Sequence, residues 1–156
     1  MQLCTNRHAA AIQAHTFTIS DVSIVAPTMR SILSILIFII ASGLQHDCHA
    51  YLASLKSGPQ GVNKTSTSGP SDYKLPEHPA FANCITPHYT AECQIYLSMA
   101  VFAAPRGEWL NGTLICALVF VVVNLGVTAD GTKVWYERQF GKQAVEGKSR
   151  MLPYIW

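Results

Sequence analysis

The chain is predicted to be all-α, an integral membrane bundle of about three transmembrane helices. Three observations carry that prediction. Asp, Glu, Lys and Arg make up 13% of its 156 residues against an apolar share of 49%, where about 25% charged is usual for soluble domains. The run Trp109 to Ala129 holds 21 consecutive uncharged residues, about 31 Å as a helix and enough to cross a hydrocarbon core of about 30 Å. Two further apolar segments, Ser31–Leu44 and His88–Ala104, are bounded by basic residues and prolines.

Taken in order, Met1 to Ser20 carries Arg7, His8 and His15 without a long apolar core, so it does not read as a secretory signal. Residues 1–28 are left unassigned. Ser31–Leu44 is uncharged for only 14 residues, a length that fits a buried helix nearly as well as a span. Arg30 can snorkel to the headgroups and Pro27 suits a first turn, so the helix is expected to begin between Ala26 and Met29. Ser57 to Asp72 is a Gly, Pro, Ser and Thr cluster, read as a flexible loop over 57–72. The second segment opens with Thr86 and Pro87, a capping residue followed by proline at the first helical position, and stops at Pro105. Glu92 is placed in its first turn, where the helix dipole favours a negative charge. For the third segment the soluble alternative is a buried core helix, which a chain this small could hardly surround.

Of the 11 basic residues, Lys56, Lys64 and Lys74 lie between the first two segments, and Lys133, Arg138, Lys142, Lys148 and Arg150 follow the third. With two crossings between them, both groups fall on one face, and the positive-inside rule makes that face, with the C-terminus, cytosolic. The sequons at Asn63 and Asn111 are then unusable, one cytosolic and one at the start of a helix. A formal charge of +2, without runs of basic residues and interleaved aromatics, gives no reason to expect nucleic acid as a partner. Five cysteines form no CxxC pair and are read as free thiols.

Polar groups are costly in membrane helices, so where they gather points to function. Gln45 and His49 are one helical turn apart, with Lys56 two turns further if the first helix continues past Leu44. His88 and Glu92 begin the second segment four apart, and Asn124, Thr128 and Thr132 end the third at the same spacing before Tyr136. Three helices would thus present polar stripes at one end, lining a pocket with a lipid-like floor, suited to a polar cofactor meeting a greasy substrate. Blander readings stand beside these. His88 with Glu92 can be an interfacial ion pair, Asn124 and Thr128 can bond neighbouring helices, and Trp135 with Tyr136 can be membrane-interface anchors. The run His46-Asp47-Cys48-His49 is one compact cluster without the second ligand group that a tetrahedral zinc site needs, so no metal is assigned. No GxGxxG, GxSxG or GxxxxGK[ST] occurs, and any nucleotide would be bound by helices.

The segments SGLQHDCHAYLASLK, YKLPEHPAF, PHYTAECQIYLSMA, VVNLGVTADGTKVWYERQF and KSRMLPYIW follow one another over roughly 37–156. In that order they resemble the C-terminal part of the steroid 5-alpha-reductase family, and most closely its fungal polyprenol (polyprenal) reductase branch. The resemblance implies that residues 29–156 are a 3-oxo-5-alpha-steroid 4-dehydrogenase C-terminal-like membrane domain, a fragment of a larger multi-span fold. It implies NADPH as cofactor, held among cytosolic helix ends by Gln45, His49, Lys56, Tyr73, Lys74, His88, Glu92, Thr128 and Tyr136. Steroid-reducing members carry Asn, Asp and Arg where Gln45, His49 and Thr128 stand. The family's catalytic acid and tyrosine lie on earlier helices that nothing before Met29 resembles, so the catalytic residues are unknown and the chain is expected to be a truncated form.

By the same resemblance the reaction is reduction of the alpha,beta double bond of polyprenal, a polyisoprenoid lipid, for dolichol synthesis and protein N-glycosylation. The protein would be multi-pass in the endoplasmic reticulum membrane. Two alternatives stand beside it: a noncatalytic membrane protein or pseudoenzyme, and a reductase of steroid enones.

Overall fold

The computed structural model describes residues 26–56 and 74–153. The readings of residues 1–25, of the loop 57–72 with Asn63 and Lys64, of Tyr73, of the Lys56 side chain and of the last three residues lie outside the described residues. All longer elements are helical: α1 (Met29–Lys56), a 3-10 turn (Pro79–Phe81), α2 (Pro87–Phe102), α3 (Gly112–Phe140) and the short α4 (Lys142–Val145).

Helix α1 starts after Thr28, whose Oγ1 accepts a hydrogen bond from the Ser31 amide at 3.2 Å, satisfying one of the free N–H groups of the first turn. Pro27 therefore precedes the helix rather than forming its first turn. The helix continues through Gln45, His49 and Lys56, as the polar stripe requires, for 28 residues, about 42 Å. Arg30, expected to reach for headgroups, instead donates to the carbonyls of Glu108 at 2.7 Å and Ala104 at 3.2 Å. Carbonyls at and just past a helix C-terminus lack intrahelical donors, and a guanidinium supplies them.

Thr86 and Pro87 take up the cap and first positions of α2, as their order predicts, but the Thr86 hydroxyl caps nothing in its own helix. Since α2 begins at Pro87, Glu92 falls in the second turn, beyond the reach of the dipole argument. The 16 residues of α2 rise about 24 Å, less than a full hydrocarbon core. Among the described residues, two helices are long and apolar enough to cross a membrane, Met29–Leu55 and Gly112–Phe140. Asn111 explains why α3 opens later than the uncharged run. Its Oδ1 accepts from the Leu114 amide at 3.2 Å while its Nδ2 donates to the Ala103 carbonyl at 3.0 Å, so one side chain ends α2 and starts α3. The helix then runs through Asp130 to Phe140.

Arg30 meets the far end of α2 and His49 meets His88 at its start, so α1 and α2 are antiparallel. The buried residues of α1 are Ser34, Ala41 and Cys48, seven apart, and those of α2 include Ala91 and Ser98 at the same spacing. Small side chains let two backbones approach closely, and a seven-residue repeat keeps the seam in register along both helices. The buried hydroxyls of Ser34 and Ser98 bond carbonyls of their own helices, Arg30 and Ile95. Large apolar side chains point the other way: Leu33, Ile39 and Ile40 on α1 and Phe120, Val123 and Val127 on α3 are exposed. Small residues inside and large apolar residues outside invert the pattern of a soluble bundle and remove the buried-core alternative.

The seam is the part of the fold least able to absorb volume. Ala91→Leu is expected to lower thermal stability in detergent by about 1–3 kcal/mol, while Ile40→Leu on the outer face leaves it within about 0.5 kcal/mol; equal effects would refute the packing described.

Candidate functional site

At the polar end of the bundle, Gln45 and His49 of α1, His88, Tyr89 and Glu92 of α2, and Val121, Asn124 and Leu125 of α3 line one cavity of about 320 Å³. The antiparallel register sets its rows. Gln45 Nε2 donates to Glu92 Oε2, and one turn on, the His49 and His88 rings meet edge to face with centroids 5.0 Å apart. The floor is aliphatic, from Val121 and Leu125.

His88 is 9% exposed, and its Nδ1 is buried without a hydrogen-bond partner. Three aromatic neighbours hold the ring: Tyr89 at 4.4 Å, His49 at 5.0 Å and Phe81 at 6.3 Å. A buried imidazole nitrogen left unpaired costs free energy that a ligand atom would recover. Glu92 keeps one oxygen beyond the Gln45 bond, and Gln45 keeps its own amide oxygen. The cavity thus offers both acceptors and donors.

The same face of the α1–α2 pair continues toward the apolar end. Phe38 lies seven residues before Gln45 and Met99 seven after Glu92, which returns each to the same side of its helix. With Ile35, Phe102, Ser34 and Ser98 they line a second cavity of about 220 Å³. Along this side of the pair the cavity linings therefore change from polar to apolar within two helical turns.

The other predicted positions are distributed differently. Tyr136 lies in a separate narrow crevice with Leu75, Pro76, Cys84, Ile85, Val145 and Lys148, and Phe81 joins that crevice to the His88 ring. Thr128 is exposed and outside the cavity wall; its hydroxyl donates to the Asn124 carbonyl at 2.9 Å, as Thr132 does to Thr128 at 2.8 Å. Hydroxyls in helices often bond back four residues in this way, which uses their one donor and leaves the oxygen as an acceptor. Lys74 is exposed. The His46–His49 run does not converge on a point: Asp47 pairs with His78 at 3.2 Å, His49 faces His88, and Cys48 is buried in the seam.

Sequence reasoning missed Tyr89, a cavity wall three residues before Glu92, and the role of the stretch 148–151. That stretch pairs with 83–86: Cys84 forms a parallel bridge with Ser149, and the Ile85 amide donates to the Ser149 carbonyl at 2.9 Å. Burial pushes the Cys84 thiol above its ordinary range, so it stays protonated and donates to the Met151 carbonyl at 3.0 Å. The folded form holds this proton when an unfolded thiol would release it, so the contribution is complete below about pH 8.5 and is lost as pH rises through the folded value.

Two outcomes follow from this geometry. Iodoacetamide labelling of Cys84, followed by peptide mass spectrometry, should stay slow at pH values where a free thiol near its ordinary pKa of about 8.5 reacts readily. Because His88 carries an unmet nitrogen, His88→Phe should leave the ligand-free protein as stable as before or up to about 1 kcal/mol more stable. A loss of more than about 1 kcal/mol in detergent unfolding would mark His88 as a structural residue instead.

No significant match was found among curated proteins or among solved structures. The 3-oxo-5-alpha-steroid 4-dehydrogenase family matches over residues 9–156, taking in most of the stretch that the motifs left unassigned. With nearly the whole sequence covered, and with helices and two potential membrane spans among the described residues, the protein belongs to the 3-oxo-5-alpha-steroid 4-dehydrogenase family, reductases of the steroid 5-alpha-reductase type.

Proposed function

We propose that this chain carries the nucleotide-gripping part of an NADPH-dependent reductase that saturates the alpha,beta double bond of polyprenal. The observation that carries the reading is the convergence of Gln45, His49, His88, Glu92 and Asn124 on one cavity, with a buried, unpaired nitrogen on one of its lining residues, His88. Five polar side chains from three helices have no packing reason to share a space beside lipid.

The cavity, at about 320 Å³, lies at the lower end of ligand pockets, enough for one end of a dinucleotide. The free oxygen of Glu92 would accept from a carboxamide N–H, with the carboxylate held in place by Gln45. The Asn124 amide would take the remaining polar edge, with the His88 ring beside it. Lys74 would serve a phosphate, since Lys133 and Lys148 are already bound to the carbonyls of Lys148 and Phe81. NADPH, when bound, supplies hydride to the beta carbon of a double bond conjugated to a carbonyl, whose oxygen takes the developing charge. The chain's own share is to orient the nicotinamide, exclude water with Val121 and Leu125, and admit an apolar tail along Phe38 and Met99. The groove's change from polar to apolar lining supports a lipid aldehyde, with the head by Gln45 and the isoprenoid chain in the second cavity.

The product would feed dolichol synthesis for protein glycosylation in the endoplasmic reticulum. The cavity end would face the cytosol with the C-terminus, because the basic residues of 133–150 gather beside it.

Titration of the purified protein in detergent with NADPH, followed by nicotinamide fluorescence, tests the site. Wild type should bind, and Glu92→Ala should raise Kd about 10- to 100-fold, the loss of a charged hydrogen bond. An unbinding wild type would leave an assembly partner acting through its helix faces. Binding without turnover of either substrate is expected both of a nucleotide-gripping part and of a pseudoenzyme, which turnover by a longer form of the protein separates, and reduction of a steroid enone with indifference to polyprenal marks a steroid reductase.

A further inference from the structure

We propose that the strap Lys148–Met151 is a positioning element that locks the first two turns of α2 so that His88 and Glu92 are presented to a bound dinucleotide; the proposal rests on reading the cavity as a nucleotide site. The start of α2 lacks its usual stabilisers. It has no side-chain cap and no acidic residue in the first turn, which are the ordinary means of satisfying free N–H groups and the dipole.

The strap holds this end through the residue before the helix and through side chains. The Arg150 carbonyl accepts from the Thr86 amide at 3.1 Å and from the Thr86 hydroxyl at 2.7 Å. The Met151 carbonyl accepts from the Thr90 hydroxyl and from the Cys84 thiol. Met151 anchors the strap, its side chain 1% exposed. Lys148 reaches the Phe81 carbonyl at 3.0 Å, fixing the residue whose ring packs on His88.

Helical geometry gives these bonds their consequence. The Thr86 and Thr90 hydroxyls both turn to strap carbonyls, whereas His88 and Glu92 are each offset from Thr90 by two residues, about 200° around the helix. The strap therefore grips the back of α2 while the cavity residues point from its front. Releasing the back would let the first turns roll or fray, turning His88 away from His49 and Glu92 away from Gln45. Thr90 and Met151 are thus positioning residues that act through His88 and Glu92 without facing the ligand themselves.

The experiment compares wild type, Thr90→Val and Thr90→Ser in the same detergent, measuring NADPH Kd by nicotinamide fluorescence and amide hydrogen exchange by mass spectrometry. Thr90→Val should raise Kd about three- to tenfold, the loss of one hydrogen bond. Exchange should quicken across 85–92 with α1 and α3 unchanged, and Thr90→Ser should restore both readouts. An unchanged Kd, exchange that quickens throughout the bundle, or no recovery in Thr90→Ser would overturn the proposal. Should wild type not bind NADPH, the nucleotide reading falls, and exchange alone judges the lock: a rise confined to 85–92 upholds it and no rise overturns it.

Discussion

The arrangement depends on the close antiparallel seam between α1 and α2. Ser34, Ala41 and Cys48 meet a surface that includes Ala91 and Ser98, and because these side chains are small the register is set by backbone proximity rather than by a few large knobs. Gln45 then stands opposite Glu92 and His49 opposite His88. Sliding α2 by one residue would turn each of its side chains by about 100° relative to α1 and break both pairs at once. The same register aligns Phe38 with Met99. Site and groove are therefore consequences of one packing decision.

The polar cavity carries a cost that the seam must bear. A carboxylate beside apolar helices is tolerable when another group shares its hydrogen-bonding load, which Gln45 does for Glu92. No such partner meets His88 Nδ1. A fold selected for stability alone would place an apolar ring there, next to Tyr89 and Phe81, and nothing in the surrounding packing would object. Functional sites are where a chain departs from such local optima.

Much of this was legible in the sequence, for identifiable reasons. Low charge and the run from Trp109 to Ala129 announce helices for an apolar solvent, and Thr86-Pro87 marks the start of α2. The four-residue spacings of Gln45 with His49 and His88 with Glu92 placed each pair on one face, and those faces do meet. Thr128 followed the same rule but lies outside the wall, because periodicity fixes a direction around the helix and says nothing of how far along it the neighbouring helix extends. Tyr136 was grouped with the others on the same basis and occupies a different crevice behind Phe81. The roles of Arg30 and Asn111 depend on partners more than seventy and about eight residues away in sequence, so no local pattern reveals them. The strap stayed hidden because its bonds use backbone carbonyls, which every sequence possesses.

The order of linings along the groove bears on why a membrane reductase would bind its nucleotide with helices. A soluble dinucleotide site at the carboxyl edge of a sheet surrounds its ligand with water and loops, whereas a lipid enal keeps its reactive carbon within a few bonds of a chain that must remain in hydrocarbon. Hydride delivery requires the two reacting atoms in contact, so the polar cofactor has to come to the boundary rather than the lipid to the solvent. Here the polar row at Gln45 and Glu92 gives way to Phe38 and Met99 seven residues on, about 10 Å along the helix axes. On the proposed reading that distance would span an aldehyde head and its first isoprene units. A head drawn toward Glu92 and a tail drawn toward Phe38 would then enter in one direction, the gradient of polarity setting which end of the lipid meets the nicotinamide.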